Sequence, residues 1–180
     1  MRISKEQTCA VVVDMQEKLF PHIHDNAEMA KNSIILIQGL RHLRVPTLVT
    51  QQYSKGLGET IVPIQTALGH LHSIEKKAFS CWDEPNFRDQ LGRLDPKFVL
   101  IMGMEAHVCV MQTAIDLKAN GYEPVVVKDC VSSRKPMDRR VAFERLAVEG
   151  VLVATYESIL FELCRVSGNS TFKAISRLVK

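Results

Sequence analysis

The chain contains no run of about 18 consecutive apolar residues, so no membrane-spanning helix is expected. It also lacks any run of about five basic residues. Lys and Arg are dispersed and the net charge is only +3, which argues against nucleic acid as the main partner. No CxxC pair occurs among Cys9, Cys81, Cys109, Cys130 and Cys164. Their number is odd, and a chain of 180 residues can bury a core without covalent staples. A disulfide framework is therefore not expected, and a reducing compartment, the cytoplasm, is. The opening segment, Met1 to Gln7, lacks the apolar centre of a secretory signal and is too brief to argue for or against a mitochondrial address. Internal repeats, low-complexity stretches and linkers are absent too, so residues 1–180 read as one domain.

What is present is an alternation of short β-branched runs with longer helical patterns. Thr8 to Val13 is too short for a helix and rich in valine, and reads as a buried strand. Ala27 to Leu43 carries Ile34, Ile35, Ile37, Leu40 and Leu43 at helical spacing, and Val45-Pro46 ends it. Thr47 to Thr50 is a second strand, and Gln51 to Thr60 a loop with two glycines and the look of a functional segment. His72 to Glu75 is a weak third strand. Glu84 to Leu91 is a short helix opened by Pro85. Phe98 to Met102 is the clearest buried strand, followed by a helix over Ala106 to Asn120 that Gly121 stops. Pro124 to Lys128 and Val151 to Thr155 are strands five and six, with a helix over Met137 to Val148 between them and closing helices from Tyr156 onward.

Repeated β-α units imply an α/β fold, with a six-stranded doubly wound parallel sheet covered on both faces in three layers. The leading strand order is 3-2-1-4-5-6, with right-handed crossovers. In such sheets ligands bind beyond the C-terminal strand ends where the order reverses, here between strands one and four.

The residues at those two strand ends are chemically pointed. Strand one runs into Asp14 and strand four leads to Cys109. Cys109 lies where a loop feeds a helix, and amides at a helix N-terminus stabilise a thiolate or the oxyanion of a tetrahedral intermediate. Its alternative role is a buried cysteine packing as a small apolar group. Asp14 is either a general acid/base or a carboxylate bracing its loop. A lysine after strand three would lower the thiol pKa further and hold Asp14 ionised. On chemistry alone Lys76 and Lys77 are equally available, and a lysine there is also an ordinary surface residue.

Together these motifs resemble the isochorismatase-like (cysteine hydrolase) family over most of the chain. The resemblance rests on Val11-Val12-Val13-Asp14-Met15-Gln16 and on Gln52-Tyr53-Ser54-Lys55-Gly56-Leu57-Gly58. It continues with Glu75-Lys76-Lys77-Ala78-Phe79-Ser80, with Gly103-Met104-Glu105-Ala106-His107-Val108-Cys109-Val110, and with Gln112-Thr113-Ala114. The resemblance implies a catalytic set of Asp14, Lys76 and Cys109, choosing Lys76 because the family lysine directly follows the glutamate. It implies a non-proline cis peptide at Met104–Glu105 and an oxyanion hole formed by the Glu105 and Cys109 amides. It also suggests a homo-oligomer, a dimer or tetramer. Gln16, Phe20, Gln52, Tyr53, Phe79, Trp82 and His107 are candidate pocket residues, Phe20 and Phe79 being equally readable as plain core.

One departure matters. Nicotinamidase members of that family bind a metal through Asp-x-His after strand two and a further His. This chain has Gln51-Gln52-Tyr53 there, and His22, His24, His42, His70, His72 and His107 do not rebuild the site. The match is therefore to the metal-free branch, with no metal or other cofactor expected. The activity implied is a cysteine-nucleophile hydrolase acting on a small amide-like or related C–N or C–O substrate, with no nucleic-acid or membrane partner. Two other readings of the same site are a catalytically idle scaffold and a thiol redox sensor.

Overall fold

A computed structural model describes residues 1–69 and 72–180. His70, one of the six histidines weighed above, lies outside the described residues. Six strands form one parallel sheet in the order β3-β2-β1-β4-β5-β6. They are β1 (Thr8–Val13), β2 (Thr47–Gln52), β3 (Ser73–Lys76), β4 (Phe98–Met104), β5 (Glu123–Ser132) and β6 (Leu152–Ala154).

The valine run of β1 is buried throughout because the central strand has no solvent face. Ala10 and Val12 enter one core. Cys9, Val11 and Val13 enter the other. The first core is closed by α1 (Asn26–Leu43), α3 (Val62–Leu68), α7 (Tyr156–Cys164) and α8 (Ser170–Leu178). The second is closed by α4 (Pro85–Leu94), α5 (Met111–Ala119) and α6 (Pro136–Val148). The result is a helix–sheet–helix sandwich, the three-layer doubly wound architecture expected from the alternation of elements.

Several boundaries differ from the sequence reading. The segment after β2 is not only loop. It holds a one-turn helix, α2 (Ser54–Leu57), and α3 follows soon after. Their sequences are cut by Gly56, Gly58 and Pro63, so neither shows a helical apolar period. Strand three lies one residue further on than expected, which brings Lys76 into the sheet opposite Gln52. β5 runs on to Ser132 past a register shift against β4, between Ile101 and Gly103.

One backbone approach fixes the distance between the two central strands. Gly103 sits opposite Val13 with φ +129°, and a Cβ there would lie 2.0 Å from the Val13 carbonyl oxygen. No other residue fits that position without moving β1.

Candidate active site

Asp14 is the first residue after β1 and takes the left-handed region, φ 52°. Its N–H donates to the Thr50 carbonyl at 3.2 Å, which ties it to β2. The carboxylate is almost wholly buried and both oxygens are engaged. Oδ1 accepts the Thr50 hydroxyl at 2.7 Å, and Oδ2 accepts Lys76 Nζ at 2.7 Å.

Lys76 reaches Asp14 across β2 because it closes β3 on the same face as Ile74, with Glu75 turned outward. Its ammonium also donates to Gln52 Oε1 at 2.7 Å and lies 3.2 Å from the carbonyls of Ala78 and Phe79. Lys77 is exposed. Burial pulls the Lys76 pKa down, but the charge and hydrogen bond of Asp14, with Cys81 and Cys109, carry it above the usual lysine value.

Cys109 approaches from β4. The turn that carries it, Ala106–Val110, is π-helical, and the Glu105 carbonyl accepts N–H groups from both Val108 and Val110. The peptide before it, Met104–Glu105, is cis. Cys109 is 7% exposed, and its thiol lies within electrostatic reach of both Asp14 and Lys76. Burial and then the negative charge of Asp14 push that thiol well above the ordinary range, and Lys76 pulls the other way without prevailing. The resting sulfur is therefore an S–H at neutral pH. This corrects the expectation that turn amides and a nearby lysine would hold a thiolate. Desolvation and the nearby Asp14 charge outweigh both.

The other candidate residues divide by location. Gln16 is fully buried and both ends of its amide are engaged. Nε2 donates to the Gln52 and Gly58 carbonyls at 3.1 and 2.7 Å, and Oε1 accepts the Gln52 N–H at 2.7 Å. It is a brace under the loop rather than a free pocket wall. Gln52 is likewise engaged, by Lys76 and by the Lys77 carbonyl. Phe20 packs against the α1-side core. Phe79 does not; it is 56% exposed, and Tyr53 is half exposed. Trp82 packs edge-on to Tyr122, ring centroids 5.7 Å apart, against the other core. His107 is half-buried, its Nδ1 3.0 Å from Ser133 Oγ. Glu105 Oε1 accepts the N–H and Nε of Arg134 at 3.1 and 3.0 Å.

Two residues around Asp14 escaped the sequence reading. Thr50 is fully buried, and Cys81 Sγ lies 3.8 Å from its hydroxyl. The strand register could have found Thr50, because it pairs with Val13, the residue before Asp14. Cys81 has no such signal. Burial pushes its thiol up to about 11. Among the described residues no group of three His, Cys, Asp or Glu side chains is placed to hold a metal ion. A surface groove of about 530 Å³ over α6, lined by Lys128, Arg139 and Phe143 among others, contains none of Asp14, Lys76 and Cys109.

A parallel sheet with an ion-paired Asp14 and Lys76 and a nearby Cys109 where its winding reverses has the layout of an isochorismatase-fold hydrolase. The isochorismatase domain model matches residues 8–158, and the chain belongs to the isochorismatase family. Isochorismatase domain-containing protein 2 of Danio rerio is 37% identical over 99% of this chain and 89% of its own length. A solved structure described as a MAR1 ribonuclease from Caenorhabditis elegans is 35% identical, covers 99% of this chain and 92% of its own, and superposes with a TM-score of 0.92. The YcaC gene product of Escherichia coli, described as an octameric hydrolase of unknown specificity, shares the fold at 21% identity and a TM-score of 0.92, over 99% of this chain and 89% of its own.

Proposed function

We propose that this protein is a cysteine hydrolase that cleaves a small amide-like or related C–N or C–O substrate through Asp14, Lys76 and Cys109. The observation that supports it is the buried Asp14 carboxylate ion-paired with the Lys76 ammonium at 2.7 Å, with the Cys109 thiol close enough to feel both charges. Because the sulfur rests protonated, Asp14 takes its proton as the C–S bond forms. The Glu105 and Cys109 amides hold the oxyanion, and Lys76 keeps the carboxylate charged. Asp14 then returns the proton to the leaving group, and a water that it activates releases the thioester. Neither a metal nor another cofactor enters this scheme. The molecule is read as a single-domain homo-oligomer of a reducing compartment, consistent with five free cysteines and the octameric assembly described for YcaC. Light scattering tests the assembly.

Incubation with a mixed amide library followed by intact mass measurement tests the chemistry. An adduct confined to Cys109, and turnover lost in Cys109→Ala, is the expected result. Unchanged turnover in that variant sinks the mechanism. No adduct and no turnover favours a scaffold. Persistent sulfenic acid under mild peroxide, again without turnover, favours a redox sensor. Single-stranded RNA belongs in the same panel because of the activity named for the C. elegans relative. RNA cleavage lost in Cys109→Ala would replace the amide with a phosphodiester.

A further inference from the structure

We infer that Thr50 is a positioning residue for this chemistry, its hydroxyl fixing the Asp14 carboxylate so that the carboxylate can accept the Cys109 proton. The inference rests on the Asp14–Lys76–Cys109 reading and adds two residues to it. An ionised carboxylate can only accept hydrogen bonds, so at 2.7 Å the Thr50 hydroxyl must be the donor to Oδ1. That leaves the Thr50 oxygen lone pairs free to accept, and the Cys81 S–H fills this role at 3.8 Å. The direction of the chain is thereby determined: Cys81 donates to Thr50, and Thr50 donates to Asp14. Cys81 can keep this role because burial holds its thiol protonated far into the alkaline range. Its own N–H donates to Thr113 Oγ1 at 2.8 Å, which ties it to α5.

The geometry explains why a β2 side chain matters to a pair on other strands. With Lys76 on Oδ2 alone, the Asp14 carboxylate could rotate about its last bond. With Thr50 on Oδ1 it is held at both oxygens, in a site with no bulk water to replace a lost bond. The Thr50 hydrogen also offsets part of the negative charge that Cys109 faces.

The test compares Thr50→Val, which keeps the shape, with Thr50→Ser, which keeps the hydroxyl. In Thr50→Val, iodoacetamide should alkylate Cys109 more slowly than in the unaltered protein across the alkaline range, because the carboxylate left behind repels the thiolate more strongly. On any substrate found, kcat should fall about 10- to 100-fold. KM should stay within about twofold, and the acid limb of the kcat/KM profile should move to higher pH. Thr50→Ser should restore both readouts. A Thr50→Val protein with altered thermal stability but an unchanged alkylation profile overturns the inference. So does one in which Cys109 reacts faster. The alkylation arm needs no substrate, so it decides the matter even if no hydrolysis is found, an outcome that would count against the enzymatic reading alone.

Discussion

Lys76 and Asp14 form an ion pair 2.7 Å long in which neither side chain is more than 1% exposed. Removing one partner from such a pair leaves a charge in the core without compensation, which costs about 3–5 kcal/mol. Lys76→Met should therefore lower the urea midpoint sharply. Lys76→Met combined with Asp14→Leu should recover much of the loss, because the surviving charge is gone. No recovery in the double variant would show that the stranded Asp14 charge is not what destabilises Lys76→Met.

The Cys109 thiol is raised by burial and by Asp14. Asp14→Asn should then act in opposite directions on two measurements. Hydrolysis should fall about a hundredfold or more, because the proton acceptor is lost. Alkylation of Cys109 at neutral pH should become faster, because the repelling charge is gone and Lys76 can pair with the thiolate. Peptide mapping after brief iodoacetamide treatment gives the second number. Slower alkylation in Asp14→Asn would mean that Asp14 activates the sulfur before substrate arrives.

Alkaline stability has a definite sign. Cys9 is raised from 9.0 to about 12 by burial, and Cys81 to about 11. Between those values and 9.0 the unfolded chain releases thiol protons that the folded chain keeps, so stability falls as pH rises. Lys76 acts in the same direction. Its raised folded pKa gives stability that is whole below 10.5 and is lost as pH climbs through the folded value. Thermal unfolding should therefore be insensitive to these groups near neutrality and decline from about pH 9 upward. Cys9→Val should flatten the first part of that decline. An unchanged slope in Cys9→Val would show that this thiol ionises as easily folded as unfolded.

Gly103→Ala tests the close approach of β1 and β4. The added methyl meets the Val13 carbonyl oxygen, and φ +129° disfavours any side chain. The variant should lose at least about 2 kcal/mol, read by chemical denaturation. Tolerance of alanine there would show that β1 can shift, and that the spacing of Asp14 and Cys109 is not set by this contact.

The centre of the sheet is legible in the sequence because each of its two central strands is an apolar run too short for a helix. Val11 to Val13 and Phe98 to Met102 carry those runs, and each meets solvent on neither face. The strand order followed from the same alternation, and with it the place where Asp14 and Cys109 approach. The choice of Lys76 over Lys77 was not legible from composition. It depends on strand parity, and the strand began one residue later than the pattern suggested. The helices over 54–57 and 62–68 were hidden because glycine and proline mark them as loop, while tertiary contacts hold them helical. The upward shift of the Cys109 thiol is hidden from the sequence for a different reason. A sequence shows which charges are near a thiol but not how much water is missing, and here missing water decides.

Sulfur oxidises as its anion, so a group that rests as S–H in a dry site reacts poorly with peroxide. The burial that raises Cys109 therefore also shields it. On the proposed mechanism the sulfur is bonded to carbon once its proton has gone to Asp14, so neither the idle form nor the acylated one offers peroxide a free thiolate, and turnover substrate should protect Cys109 further.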